Sequence, residues 1–131
     1  MKVAYVVGPY RSEIGPYGIK QNIQRAEEVA IQLWRLGYAV ICPHKNTAFF
    51  DGAAPDEVWL RGDIELIRRS DLVVTVKGWE SSSGARGEVE FCRTHNIPFR
   101  ILFLVFVVLI LAEQSPLPPS ILEVQSVYQI P

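Results

Sequence analysis

Apolar residues in this chain fall into short continuous runs, separated by longer stretches in which they recur every three or four positions. "KVAYVV" (residues 2–7) is a β-branched run closed by the turn signal Gly8-Pro9. In residues 18–36, Ile19, Ile23, Ala26, Ala30 and Leu33 step by four and three, predicting an amphipathic helix that Gly37 ends. "YAVIC" predicts a second strand, stopped by Pro43, and "NTAFFDGAAP" a loop carrying aromatic side chains. A helix is predicted over 56–69, with Asp56 and Glu57 favourably placed at its N-terminus. "DLVVTV" predicts a third strand, residues 84–95 a third helix and residues 98–105 a last clear strand.

Strands that are apolar throughout and alternate with helices predict a parallel sheet covered on both faces. The expected fold is therefore a small doubly wound α/β domain, Rossmann-like or flavodoxin-like, with four to five strands. Ligands of such sheets bind at the carboxyl ends of the strands, which here carry "GPYRS", "PHKNT" and "KGWESSSG". The domain is expected over 1–105, followed at 106–131 by a tail, first apolar and then proline-rich, packed on the same domain or on a partner subunit.

The run 101–112, "ILFLVFVVLILA", is twelve apolar residues without a break. As a helix it would span about 18 Å, against roughly 30 Å for a bilayer core. It is read as a buried strand continuing into a segment that covers the core or a neighbouring subunit, with a membrane anchor as the lesser alternative. At 131 residues the chain suits one domain with a proper core, and a net charge of −1 gives no basic field for nucleic acid. Cys42 and Cys92 sit in apolar surroundings without CxxC spacing and are read as free buried thiols. The N-terminal apolar run is too short for a signal peptide, so a cytoplasmic protein is expected.

Candidate chemistry concentrates in "KGWESSSGARGEVEF" (77–91). Glu88 and Glu90 lie two residues apart, so on a helix they point about 200° from each other and cannot share a pocket. Glu90 shares a face with Arg86, Arg93 and Thr94 and is expected in solvent, whereas Glu88 sits at the edge of the buried face near the loop mouth. There the helix dipole is expected to hold it ionised. Asp63 has apolar residues at every helical neighbour position (Trp59, Leu60, Leu66, Ile67), and a carboxylate on such a stripe needs a reason. The alternatives are a salt bridge to Arg61 or Arg68, or a pocket carboxyl paired with Glu88.

Neither a P-loop nor GxGxxG is present. "GPYRS" is either a plain turn or a polar ligand site using backbone N–H groups and Arg11. Two histidines without suitable cysteine spacing predict no metal site. His44 is expected to hydrogen-bond in a pocket, and His95 to cap a helix end. Trp34 is expected in the core, Trp79 stacked on a planar base, and Asp71 at a helix-to-strand turn.

Taken together, "AYVVGPYR", "CPHKNT", "GDIELIRRSDLVV" and "GWESSSGARGEVEF" resemble the nucleoside 2-deoxyribosyltransferase superfamily, which includes the 2'-deoxynucleoside 5'-phosphate N-hydrolases. The resemblance covers roughly residues 1–105. Its most specific element is Ser-x-Gly-x-x-x-Glu after a strand, met by Ser82, Gly84 and Glu88. It implies Glu88 as the nucleophile on the anomeric carbon, with Asp63 contacting the sugar or the leaving base. Gly8, Tyr10 and Arg11 would line the sugar and phosphate site, with His44 after the second strand and Ser82 near the 5' group. Pro9 replaces a hydroxyl residue of the monophosphate hydrolases. The resemblance further implies a nucleoside or nucleotide substrate, no cofactor, and a homodimer or higher homo-oligomer. The other classes weighed are a nucleotide-binding module without turnover and an interaction protein assembled through its apolar tail.

Overall fold

The computed structural model describes residues 1–101. Four strands, β1 (Val3–Val7), β2 (Ala39–Ile41), β3 (Leu72–Thr75) and β4 (Phe99–Ile101), form one all-parallel sheet in the order β2-β1-β3-β4. The connections carry the helices α1 (Pro16–Arg35), α2 (Pro43–Asn46), α3 (Asp56–Arg68) and α4 (Ser83–Thr94), and a 3-10 turn at Trp79–Ser81. This is the expected small α/β fold, with four strands. The apolar segment 101–112 and the tail 106–131 lie outside the described residues beyond Ile101. Among the described residues no helix is long and apolar enough to cross a membrane.

Alternation along β1 explains how an unbroken apolar run serves two layers. Ala4 and Val6 pack with Ala26, Val29, Ala30 and Leu33 of α1 on one face of the sheet. Tyr5 and Val7 turn to the other face, where they meet Ile67 of α3 and Ala85, Val89 and Cys92 of α4. Both cysteines are buried free thiols, and burial pushes Cys92 up to about 11.

Several boundaries differ from the sequence reading. Helix α1 starts at Pro16, two residues early, because Pro suits the first helical turn and Gly15, at φ 72°, makes the entry. "PHKNT" forms the single turn of α2 where a loop was expected. Trp34, expected in the core, is 54% exposed: it follows Leu33 by one residue, about 100° around α1, and so leaves the buried stripe.

The chain leaves β1 for β2 on one side and returns for β3 on the other. The strand order therefore reverses beside β1, and loops part at the carboxyl ends of β1 and β3. Gly8 makes the junction close. A Cβ there would lie 2.8 Å from Val76 Cβ, so only glycine lets the end of β1 pass the end of β3.

Candidate functional site

A cavity of about 440 Å³ opens at this crevice, within the usual range for small-molecule sites. Its walls come from the loop after β1 (Gly8 to Arg11), from α2 and the turn beyond it (His44, Phe50, Asp51), from α3 (Asp56, Trp59, Asp63) and from the start of α4 (Ser82, Gly84, Glu88). All three loops singled out in the sequence thus contribute to one cavity.

The floor is a pair of carboxyls joined by a tyrosine. Tyr5 is fully buried on β1, and its hydroxyl donates to Glu88 Oε1 at 3.2 Å, with Asp63 as its alternative acceptor. Three elements therefore converge here: β1 supplies the hydroxyl, α3 supplies Asp63 and α4 supplies Glu88. Asp63 does face the pocket, and Arg68 pairs instead with Glu65 at 3.5 Å. Glu90, as expected, stays on the exposed face, with Arg93 at 3.5 Å.

Burial decides the protonation of the pair. Glu88 is pushed up to about 8, first by loss of solvent and then by the neighbouring Asp63 charge, and the Tyr5 hydrogen bond offsets only part of this. Burial likewise pushes Asp63 up to about 6. The expectation that the helix dipole holds Glu88 ionised is corrected. Glu88 is the sixth residue of α4, beyond the first turn where that effect is felt, so desolvation prevails. Near neutral pH the two carboxyls hold about one proton between them and titrate as a coupled pair. The Tyr5 hydroxyl is raised far above its ordinary range by burial and by both carboxyls, so it is a fixed neutral donor.

Around this floor, the other expected site residues take structural as well as lining roles. His44 is 5% exposed, and its Nε2 lies 3.2 Å from the Gly8 carbonyl and 3.0 Å from that of Pro9. Two carbonyl acceptors make Nε2 the protonated nitrogen, and burial lowers the ring's proton affinity, so His44 is a neutral clamp on the β1 loop. Tyr10 accepts from the Phe49 amide at 3.0 Å and donates to Asp51 Oδ2 at 2.9 Å. Arg11 forms an exposed ion pair with Asp56 at the rim. Ser82 caps α4, its Oγ accepting from the Ala85 amide at 3.3 Å. Gly84 leaves the wall open, since its added Cβ would meet nothing nearer than Ser82 Oγ at 3.9 Å.

Trp79 is a correction. The turn after Gly78, whose φ of 87° favours glycine, folds the indole into the core beside Val73 and Val89, and it does not line the cavity. The aromatic walls are instead Phe50 and Trp59, neither of which the sequence reading assigned to the site. Tyr5 was missed too, because a strand tyrosine looks like any other strand residue. Among the described residues no group of three His, Cys, Asp or Glu side chains is arranged to hold a metal ion.

Residues 2–100 match the family described as Domain of unknown function (DUF4406). No curated protein matches the chain.

Proposed function

The chain belongs to the DUF4406 family, whose description carries no activity, and from its pocket we propose an enzyme that cleaves or transfers across the N-glycosidic bond of a deoxynucleoside or deoxynucleotide. The observation that carries this reading is the Glu88–Tyr5–Asp63 arrangement: two carboxyls of unequal proton affinity on facing helices, at the floor of one cavity. The resemblance of residues 1–105 to nucleoside 2-deoxyribosyltransferases supports the same assignment.

In this mechanism Glu88 attacks the anomeric carbon of the sugar. The bond from that carbon to the base nitrogen breaks, and its electron pair leaves with the base. Tyr5 holds Oε1 of Glu88, which orients the carboxyl and leaves the other oxygen for bond formation. Asp63 delivers the proton to the departing base, as a general acid with a raised pKa does. The unequal proton affinities favour the proton on Glu88. Positive charge developing at the anomeric carbon stabilises the Glu88 anion and shifts the proton to Asp63. Water, deprotonated by the Asp63 carboxylate, then releases the sugar from the glycosyl-Glu88 ester; a second base doing so would make the enzyme a transferase.

The test is incubation with a panel of deoxynucleosides and their 5'-monophosphates, with chromatography of free base. Wild type is expected to release base from at least one substrate, Glu88→Ala to fall to background, and Asp63→Asn to lose about 10²-fold in kcat. Base release by Glu88→Ala at the wild-type rate would sink the nucleophile assignment. Binding without release by wild type would leave a non-catalytic nucleotide-binding module. A homo-oligomer with residues 106–131 in its interface is part of the same proposal, and deleting them is expected to lower the number of chains per particle in solution.

A further inference from the structure

The cavity is acidic, and its charge bears on whether the sugar it takes carries a 5'-phosphate. Among the described residues that line it, Arg11 is the one base, against the acids Asp51, Asp56, Asp63 and Glu88. With one proton shared between Asp63 and Glu88, three negative charges face one positive. His44 stays neutral through burial and adds nothing to this balance.

The lone guanidinium is already engaged. Arg11 pairs with Asp56, the first residue of α3, where the helix dipole favours a negative side chain. Asp51 is fixed by the Tyr10 hydroxyl, which donates to its Oδ2 at 2.9 Å. Cations close in sequence to the lining are directed elsewhere: Lys45 pairs with Glu27 of α1, and Arg86 donates to the Glu80 carbonyl at 2.7 Å. Backbone donors offset little of the acidity. Pro9 brings no N–H to the β1 loop. The N-terminus of α4 reaches the cavity at Ser82 and Gly84, but its dipole is worth about half a charge, and Ser82 Oγ already takes the Ala85 amide.

Distance does not shield a phosphate from these groups. A cavity of about 440 Å³ is roughly 10 Å across, comparable with the Debye length at physiological salt, so a dianion anywhere inside it feels each acid. A neutral hydroxyl in the same place does not. We propose that Asp56 and Asp51 make this cavity select by charge, so that it takes a nucleoside with a free 5' hydroxyl and turns away 5'-monophosphates. Asp56 acts twice, as a negative charge at the rim and by holding the guanidinium that a phosphate would need. The ligand's name rests on the N-glycosidic reading, whereas the sign of the charge it must avoid does not.

Calorimetry with deoxyadenosine, thymidine and their 5'-monophosphates tests this without turnover. Wild type is expected to bind at least one nucleoside about tenfold tighter than its monophosphate at low salt, with the gap narrowing as salt screens the acids. The 5'-O-acetyl nucleoside, which has bulk without charge, is expected to bind like its parent. Asp56→Asn and Asp51→Asn keep the side-chain volume. Each is expected to narrow the gap several-fold, chiefly by tightening the monophosphate, with the melting transition retained. Preference for the monophosphate, exclusion of the acetyl ester as strong as that of the phosphate, or an unchanged gap in both variants would each overturn the charge filter. The two readings separate. A monophosphate bound and cleaved in preference to its nucleoside keeps the glycosidase and removes the filter. Selective binding of nucleosides, with no base released, keeps the filter and removes the glycosidase. A wild type that binds neither class removes both.

Discussion

At the scale of single residues, the site's behaviour turns on how one proton is shared. In the proposed mechanism Glu88 acts as nucleophile only as an anion and Asp63 as acid only when protonated, so the reactive form carries one proton on the pair. With Asp63 pushed up to about 6 and Glu88 to about 8, kcat/KM is expected to rise through the lower value and fall through the upper. Asp63 is itself one cause of the high Glu88 value, so Asp63→Asn removes that charge and is expected to move the Glu88 titration to lower pH. Carboxyl titration followed by NMR in Asp63→Asn and wild type measures this; coincident Glu88 curves would show that the two groups do not feel each other. Glu88 was legible in the sequence because helical spacing puts it at the edge of the buried face, whereas for Asp63, amid apolar helical neighbours, spacing left a salt bridge and a pocket role both open. Tyr5 was not. In "KVAYVV" a tyrosine fits a strand as well as valine does, and only the packing of α3 and α4 on its face reveals the hydroxyl between two acids. Trp34 and Trp79 went the other way, since the exposure of an indole depends on a rotation about a helix or a turn that composition does not encode.

Elements were easier to read than their ends. All four strands and the three long helices follow from apolar periodicity, because a two-face parallel sheet needs unbroken apolar strands and each covering helix needs a stripe. The single turn of α2 and the 3-10 turn escaped, because segments of three or four residues carry no period. Their consequence is functional, since α2 aims His44 back at the β1 loop. The junction that permits this is Gly8, where an added methyl meets Val76 Cβ at 2.8 Å and approaches His44 Nε2 at 3.6 Å. Backbone at the carboxyl ends of β1 and β3 must shift to admit it, since both neighbouring strands are paired through this point and Val76 donates its amide to the Val7 carbonyl at 2.7 Å. Gly8→Ala is expected to destabilise the fold by about 1–3 kcal/mol, as overpacking a tight interior does. The urea midpoint of Gly8→Ala against wild type measures it, and an unchanged midpoint would mean that the crevice is softer than its contacts indicate.

For the whole molecule, the same pair of carboxyls sets how stability varies with pH. A carboxyl with a raised pKa binds its proton more tightly when folded than when unfolded. The folded state then holds more protons than the unfolded chain between the two values, and stability falls as pH rises across that interval. Glu88, whose ordinary value is 4.5, is pushed up to about 8, so its protonated form favours the fold fully below about 4.5, and that contribution is lost as pH rises to about 8. Asp63 adds a smaller loss of the same sign between 3.8 and about 6. Surface pairs oppose this weakly: Glu65, beside Arg69, is lowered, but the pair is exposed and screened by solvent. The buried His44 ring, whose proton affinity burial lowers, opposes it below that ring's ordinary value of 6.5; above 6.5 the buried pair sets the sign, and the domain is expected to melt at a lower temperature at pH 8 than at pH 6.5. Glu88→Gln keeps the shape and the acceptor for Tyr5 without a titrating proton. It is expected to flatten most of the decline between pH 6.5 and pH 8 and to melt above wild type at pH 8. A decline equally steep in Glu88→Gln would place its origin elsewhere in the molecule. A flat wild-type profile would mean that water reaches the cavity floor and hydrates Glu88, leaving the site without the dry carboxyl pair on which the proposed chemistry depends.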